Sequence, residues 1–121
     1  MPAWEKLIMD CIFCKIVAGE IPAEALHRDE QVIVIRDINP QAPTHLLVLP
    51  TDHLESVREI GVGNGALAGH MTVVANEMAR REGVFDKGYR LAINCGEEGG
   101  QTVGHLHMHV LGGRQLSGQL G

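Results

Sequence analysis

Neither a long apolar run, nor an excess of positive charge, nor an internal repeat occurs in this chain of 121 residues. The first absence removes a membrane-spanning helix, which needs about 20 consecutive apolar residues. The second weighs against nucleic acid as a partner. Ten Lys and Arg stand against 15 Asp and Glu, a formal net charge of −5, the reverse of the basic footprint that a nucleic-acid surface carries. A small anion remains compatible, because backbone dipoles and imidazoles hold phosphate even in an acidic protein. Cysteine is scarce as well: there are three, and Cys11 and Cys14 are too close in sequence to staple a fold usefully. Residues 1–10 lack a secretory-signal pattern, since Glu5 and Lys6 interrupt them. Together these features lead us to expect a reducing, cytoplasmic compartment, no membrane and no nucleic acid.

The length suits one domain and is too short for two. Met9-Asp10-Cys11 reads as an alternative start, so residues 1–9 are expected to be an N-terminal extension, loose or a helical turn packed on the core. Residues 10–121 then form the single domain. Cys11 to Ala18 is apolar at near-helical spacing and stops at Gly19, a C-terminal helix signal. Strand-like runs follow at Glu24–His27, Val32–Ile38 and His45–Leu49, with Pro40 and Pro43 marking a loop. Asp52-His53-Leu54-Glu55 fits a capping box opening a short helix. Asn64 to Arg81 reads as the one long helix, its stripe of Leu67, Met71, Val74 and Met78 serving a core or a subunit interface. Tyr89–Cys95 and His105–Leu111 complete the expected set. The result is an α+β domain, a five-stranded antiparallel sheet with one long and two short helices.

His105-Leu106-His107-Met108-His109-Val110-Leu111 carries the chemistry. Strand side chains alternate faces, so three imidazoles point one way while Leu106, Met108 and Val110 point to the core. Imidazole has an ordinary pKa of about 6.5, so it can attack, accept or donate near neutrality. Just upstream, Gly96, Gly99, Gly100 and Gly104 surround Gln101 and Thr102. Glycines let backbone N–H groups converge on an anion. A histidine that attacks phosphorus forms a covalent intermediate and splits one hard displacement into two easier ones. For that, one ring nitrogen must be held protonated so that the other keeps its lone pair.

The spacing His105-x-His107-x-His109 before Val110-Leu111 resembles the signature of the histidine triad hydrolases and transferases. Asp37 to His45, Gly88-Tyr89-Arg90-Leu91, Gly99-Gly100-Gln101-Thr102 and Gly112-Gly113-Arg114 are similar to the Hint branch of that family, in order and spacing. The resemblance spans essentially residues 10–114. It implies the family's fold and a purine nucleoside phosphoramidate hydrolase that releases a nucleoside monophosphate from an amine. By position His107 would be the nucleophile, His109 would hold the phosphate oxygens, and His45 would support the nucleophile's tautomer and charge. Thr102 would supply a hydroxyl near the leaving group. Gln101 and Asn94 would donate to phosphate or ribose, and Asp37 would receive the ribose hydroxyls. Ile12, Phe13, Ile16 and Ile38 would wall the base pocket. A homodimer through the long helix and the Tyr89–Cys95 strand is implied too.

Two departures from the best-known Hint proteins stand out. Cys11-x-x-Cys14, with His53 and His105 placed as in zinc-carrying relatives, would form a closed Cys2His2 structural zinc site. The tail Leu116–Gly121 lacks the tryptophan that closes the site in some relatives, which bears on selectivity for the amine. Three rival readings stay open. His-x-His on a strand also suits a mononuclear metal hydrolase; the same fold also serves dinucleoside polyphosphate hydrolases and nucleotidyltransferases; and a non-catalytic nucleotide-binding regulator is the third.

Overall fold

A computed structural model describes residues 11–121, so the expected N-terminal extension lies outside the described residues. The elements run α1 (Ile12–Val17), β1 (Ala25–Arg28), β2 (Val32–Arg36), β3 (Thr44–Pro50), a 3-10 turn (Val57–Glu59), α2 (Gly65–Arg81), β4 (Tyr89–Ala92) and β5 (Met108–Gly112). The strands form one antiparallel sheet in the order β1-β2-β3-β5-β4. One long helix and one short helix pack on it, with a 3-10 turn in place of the second short helix that the sequence leads one to expect.

Strand periodicity divides the interior into two unequal cores. Val32 and Val34 of β2, Leu46 and Val48 of β3, and Met108 and Val110 of β5 pack with Leu106 beneath α2. That helix turns Met71, Val74 and Met78 onto them. The stripe is therefore core. The intervening residues face the other side, where Ile33, Ile35, Leu47 and Leu49 meet Cys11 and Phe13 of the α1 segment. His45 and His109 share this second face, since His109 pairs across the ladder with Leu47. The thick core thus supports the sheet, and the thin one leaves room for a site.

Three boundaries depart furthest from the sequence reading, the other strand ends shifting by at most two residues. The helix expected from Asp52 is absent; a single 3-10 turn begins at Val57, capped by the Ser56 hydroxyl, which accepts from the Arg58 N–H at 3.2 Å. The carbonyls a helix there would need are already taken. Leu54 O accepts from Leu106 N–H at 2.7 Å, and Glu55 O from the Gln101 amide at 2.7 Å. For a related reason β5 begins at Met108 rather than His105. His105 N–H turns back to Val103 O and Leu106 crosses to Leu54, so this stretch leaves the ladder before β5 starts. β4 accordingly ends at Ala92, paired with His109, rather than at Cys95.

Candidate functional site

His107 is 4 % exposed and directs its Nδ1 to the carbonyl of His105 at 2.7 Å. A carbonyl only accepts, so Nδ1 carries the proton and Nε2 is left with a lone pair. The Phe13 ring stands edge-on to His107, centroids 5.1 Å apart. His105 takes part through its backbone here, and its ring is engaged elsewhere.

His45 and His109 form a second relay. The Gln41 N–H donates to His45 Nδ1 at 3.0 Å, which places the proton of His45 on Nε2. That N–H points at His109 Nδ1, 2.8 Å away, with Asp37 Oδ2 at 3.3 Å. His109 Nδ1 is therefore an acceptor, and its Nε2 bears the remaining proton. Burial, then the neighbouring rings of His107 and His45, lowers the pKa of His109 to about 4, against an opposing pull from Asp37. Burial also pulls His45 below its ordinary value, again opposed by Asp37. Two neutral, oppositely polarised imidazoles follow, one presenting a lone pair and the other an N–H.

His107 and His109 open on a cavity of about 210 Å³, which also takes in Ile12, Phe13, Ile16, Asp37, Ile38 and Thr102. Eight of the expected site residues are thus brought together, along with Ile35, Leu47 and Val103, which the sequence reading did not single out. The signal for Ile35 and Leu47 was present: each is an odd-numbered strand position on the histidine face. Arg36 also lines it, while its guanidinium reaches Glu82 at 2.6 Å. Asp37 closes a local turn, its Oδ1 accepting the Asn39 N–H at 2.8 Å.

His45, Gln101 and Asn94 are placed differently from the expectation. His45 touches His109 rather than His107, and the His105 carbonyl is what holds the tautomer of His107. Both Gln101 amide hydrogens go to backbone, to Glu55 O and Val103 O, while its oxygen accepts the Gly96 N–H. One Asn94 amide hydrogen goes to Gly99 O at 2.7 Å. The glycine loop turns its own donors inward too, Gly100 N–H to Glu97 O and Gln101 N–H to Gly96 O. Its tightness is real: a Cβ on Gly99 would stand 2.2 Å from the Cys95 carbonyl. The loop thus presents Thr102 rather than a row of free N–H groups.

The ring of His105 belongs to a separate cluster. Among the described residues, Cys11, Cys14, His53 and His105 can each bring a ligand atom within 4.8 Å of the others. Cys14 Sγ lies 3.1 Å from His53 Nδ1, and the two sulfurs lie 3.5 and 3.4 Å from His105 Nδ1. His105 Nε2 donates to Pro50 O at 2.9 Å, which leaves Nδ1 bare for a metal and orients the ring. Burial, then the adjoining Cys11, pushes the Cys14 thiol up to about 12. Two soft sulfurs and two imidazole nitrogens this close together form a Cys2His2 donor set of the kind that suits a divalent cation. Asp37, His45 and His109 also approach one another, but that trio is closed by its own hydrogen bonds, with Gln41 on one nitrogen of His45 and His109 on the other.

Comparison with known proteins adds four findings. Residues 18–116 match the HIT domain. The purine nucleoside phosphoramidase of Escherichia coli is 42 % identical over 111 residues, covering 92 % of this chain and 93 % of that one. Among solved structures, a HIT family hydrolase from Clostridium thermocellum superposes with a TM-score of 0.89 at 44 % identity, over 92 % of this chain and 96 % of its own. A zinc-bound histidine triad family protein from Mycobacterium smegmatis gives 0.75 at 33 % identity, over 88 % and 77 %.

Proposed function

This chain belongs to the HIT domain family, and from that membership and the state of its histidines we propose a purine nucleoside phosphoramidate hydrolase working through a nucleotidyl-histidine at His107. The observation that carries the reading is the 2.7 Å bond from His107 Nδ1 to the His105 carbonyl, which frees Nε2 to attack. Nε2 bonds to phosphorus, the phosphorus–nitrogen bond breaks, and the amine departs past the Thr102 hydroxyl with a proton drawn from solvent, which the hydrolytic water returns in the second step. Water then cleaves the nucleotidyl-histidine, releasing the nucleoside monophosphate and the neutral ring. His109, with Nε2–H turned outward by the His45 relay, donates to a phosphate oxygen as charge builds there.

The cavity size supports a purine base as its occupant. At about 210 Å³ it falls below the roughly 300 Å³ from which pockets enclose a whole drug-sized ligand. The base fits among Ile12, Phe13, Ile16 and Ile38, and the phosphate lies at the rings. Asp37 receives the ribose hydroxyls. Gln101 and Asn94 act at one remove, by shaping the loop that carries Thr102.

Cys11, Cys14, His53 and His105 hold a structural zinc ion in this reading; when bound it offsets the charge of two thiolates and takes no part in the displacement. The similar zinc-bound protein from Mycobacterium smegmatis supports the assignment. The chain works as a homodimer in the cytoplasm. The edge position of β4 supports the dimer, since one side of that strand leaves its backbone groups unpaired by the sheet.

The deciding assay is AMP release from adenosine 5′-phosphoramidate by wild type and by His107→Asn. Release by wild type and a loss of at least about 10³-fold in the variant is expected, because the covalent route is gone. Equal rates would remove His107 from the mechanism and favour a metal hydrolase.

A further inference from the structure

Four observations tie the metal cluster to the nucleotide cavity. In Cys11-Ile12-Phe13-Cys14 the two sulfurs face His105, while Ile12 and Phe13, between them, wall the cavity. His105 serves both places at once: its ring Nδ1 faces the sulfurs and its carbonyl holds the proton of the nucleophile. A groove of about 390 Å³ beside Cys11 and His53 shares Ile12, Thr102 and Val103 with the cavity. Phe13 spans the junction physically, its ring edge-on to His105 at 5.8 Å and to His107 at 5.1 Å.

The element between the two sites is short. α1 has six residues, well under the ~12–15 at which a helix persists by itself. Its position depends on the side chains that anchor it, Phe13 and Cys11 in the thin core and the sulfurs at its start. Whatever grips the sulfurs therefore also sets the wall against which a base stacks.

We propose that occupancy of the Cys11, Cys14, His53 and His105 cluster organises the nucleotide site through Phe13 and the His105 carbonyl, so that metal and nucleotide bind cooperatively. The inference rests on the zinc and nucleotide readings above. Phe13 and His105 are positioning residues in it: one fixes the wall, the other the tautomer of His107. Linkage makes the effect reciprocal. If metal tightens nucleotide binding, nucleotide tightens metal binding by the same factor.

The test titrates the zinc-loaded full chain with a competing chromogenic chelator, with and without saturating AMP. AMP is expected to raise the zinc affinity about tenfold, within the range of coupled sites. Phe13→Leu keeps an apolar side chain and loses the aromatic edge; with AMP shown to be bound at saturation, it is expected to lose the difference in zinc affinity between the AMP-bound and AMP-free protein. With cadmium in place of zinc, the cadmium-113 resonance should move when AMP binds, a change that a clamp serving stability alone would not produce. Equal zinc affinity with both ligands bound overturns the coupling alone. Failure of AMP to bind overturns it together with the nucleotide reading, and failure of zinc to bind overturns it together with the zinc assignment.

Discussion

His109 sits among three groups that decide its charge: the rings of His45 and His107, and the carboxylate of Asp37. Burial and the two rings outweigh the carboxylate, so the ring stays neutral down to about pH 4. The sign of the stability effect follows. A histidine whose pKa is lower folded than unfolded gives its full stabilisation above the ordinary value of 6.5, and loses it as pH falls through about 4. We predict that thermal stability declines over that window and that His109→Asn flattens the decline. An unchanged slope in the variant would show that the loss arises elsewhere. The residue types of this relay are legible in the sequence. Which nitrogen carries each proton is not, because Gln41 N–H and His105 O settle it only once the chain has folded.

Asp29 shows how elements are held together. It lies in the turn between β1 and β2, and its Oδ2 accepts from His27 of β1 at 2.7 Å and from His70 of α2 at 2.8 Å. Its Oδ1 accepts the backbone N–H groups of Gln31 and Val32. Burial works the other way, but these bonds hold the Asp29 carboxyl well below the usual carboxylate range. Asp29→Ala is expected to cost roughly 2 kcal/mol, since it strands several donors at once; the shift of the urea midpoint measures it. Asp29→Asn, which keeps an acceptor oxygen, should cost less. The elements themselves were well marked by periodicity: α2 and the alternation of β2, β3 and β5 follow their apolar patterns. The capping-box reading at Asp52 failed because Leu106 and Gln101, about 50 residues away, claimed the carbonyls of Leu54 and Glu55. A local motif carries no record of such distant competitors.

At the scale of the molecule, among the described residues no helix is long and apolar enough to cross a membrane, and the proposed zinc and the proposed dimer each carry a prediction. Elemental analysis of protein purified without chelator should find one zinc per chain. Removing it should lower Tm by roughly 10–20 °C, the consequence of losing about 4 kcal/mol of ligand stabilisation at a thousandfold excess over Kd. Absence of bound zinc in such a preparation would refute the assignment. Light scattering at assay concentration should give twice the chain mass of 13.1 kDa; a monomeric mass would show that the open edge of β4 is not covered by a second copy.

The amino-acid sequence by itself determined the sheet-forming alternation, the long helix, the histidine face and the family, because each depends on residues close together in the chain or on their order along it. Resemblance to zinc-carrying relatives also named the four metal-ligating candidates, although 94 residues separate Cys11 from His105. Only the tertiary structure decided that the carbonyl of His105 holds His107, that His45 serves His109, and that Gln101 is spent on Glu55 and Val103. The physical reason is the reach of a hydrogen bond. It is made or lost over a few tenths of an ångström, and at that precision the partners of these rings and amides depend on how segments far apart in sequence pack.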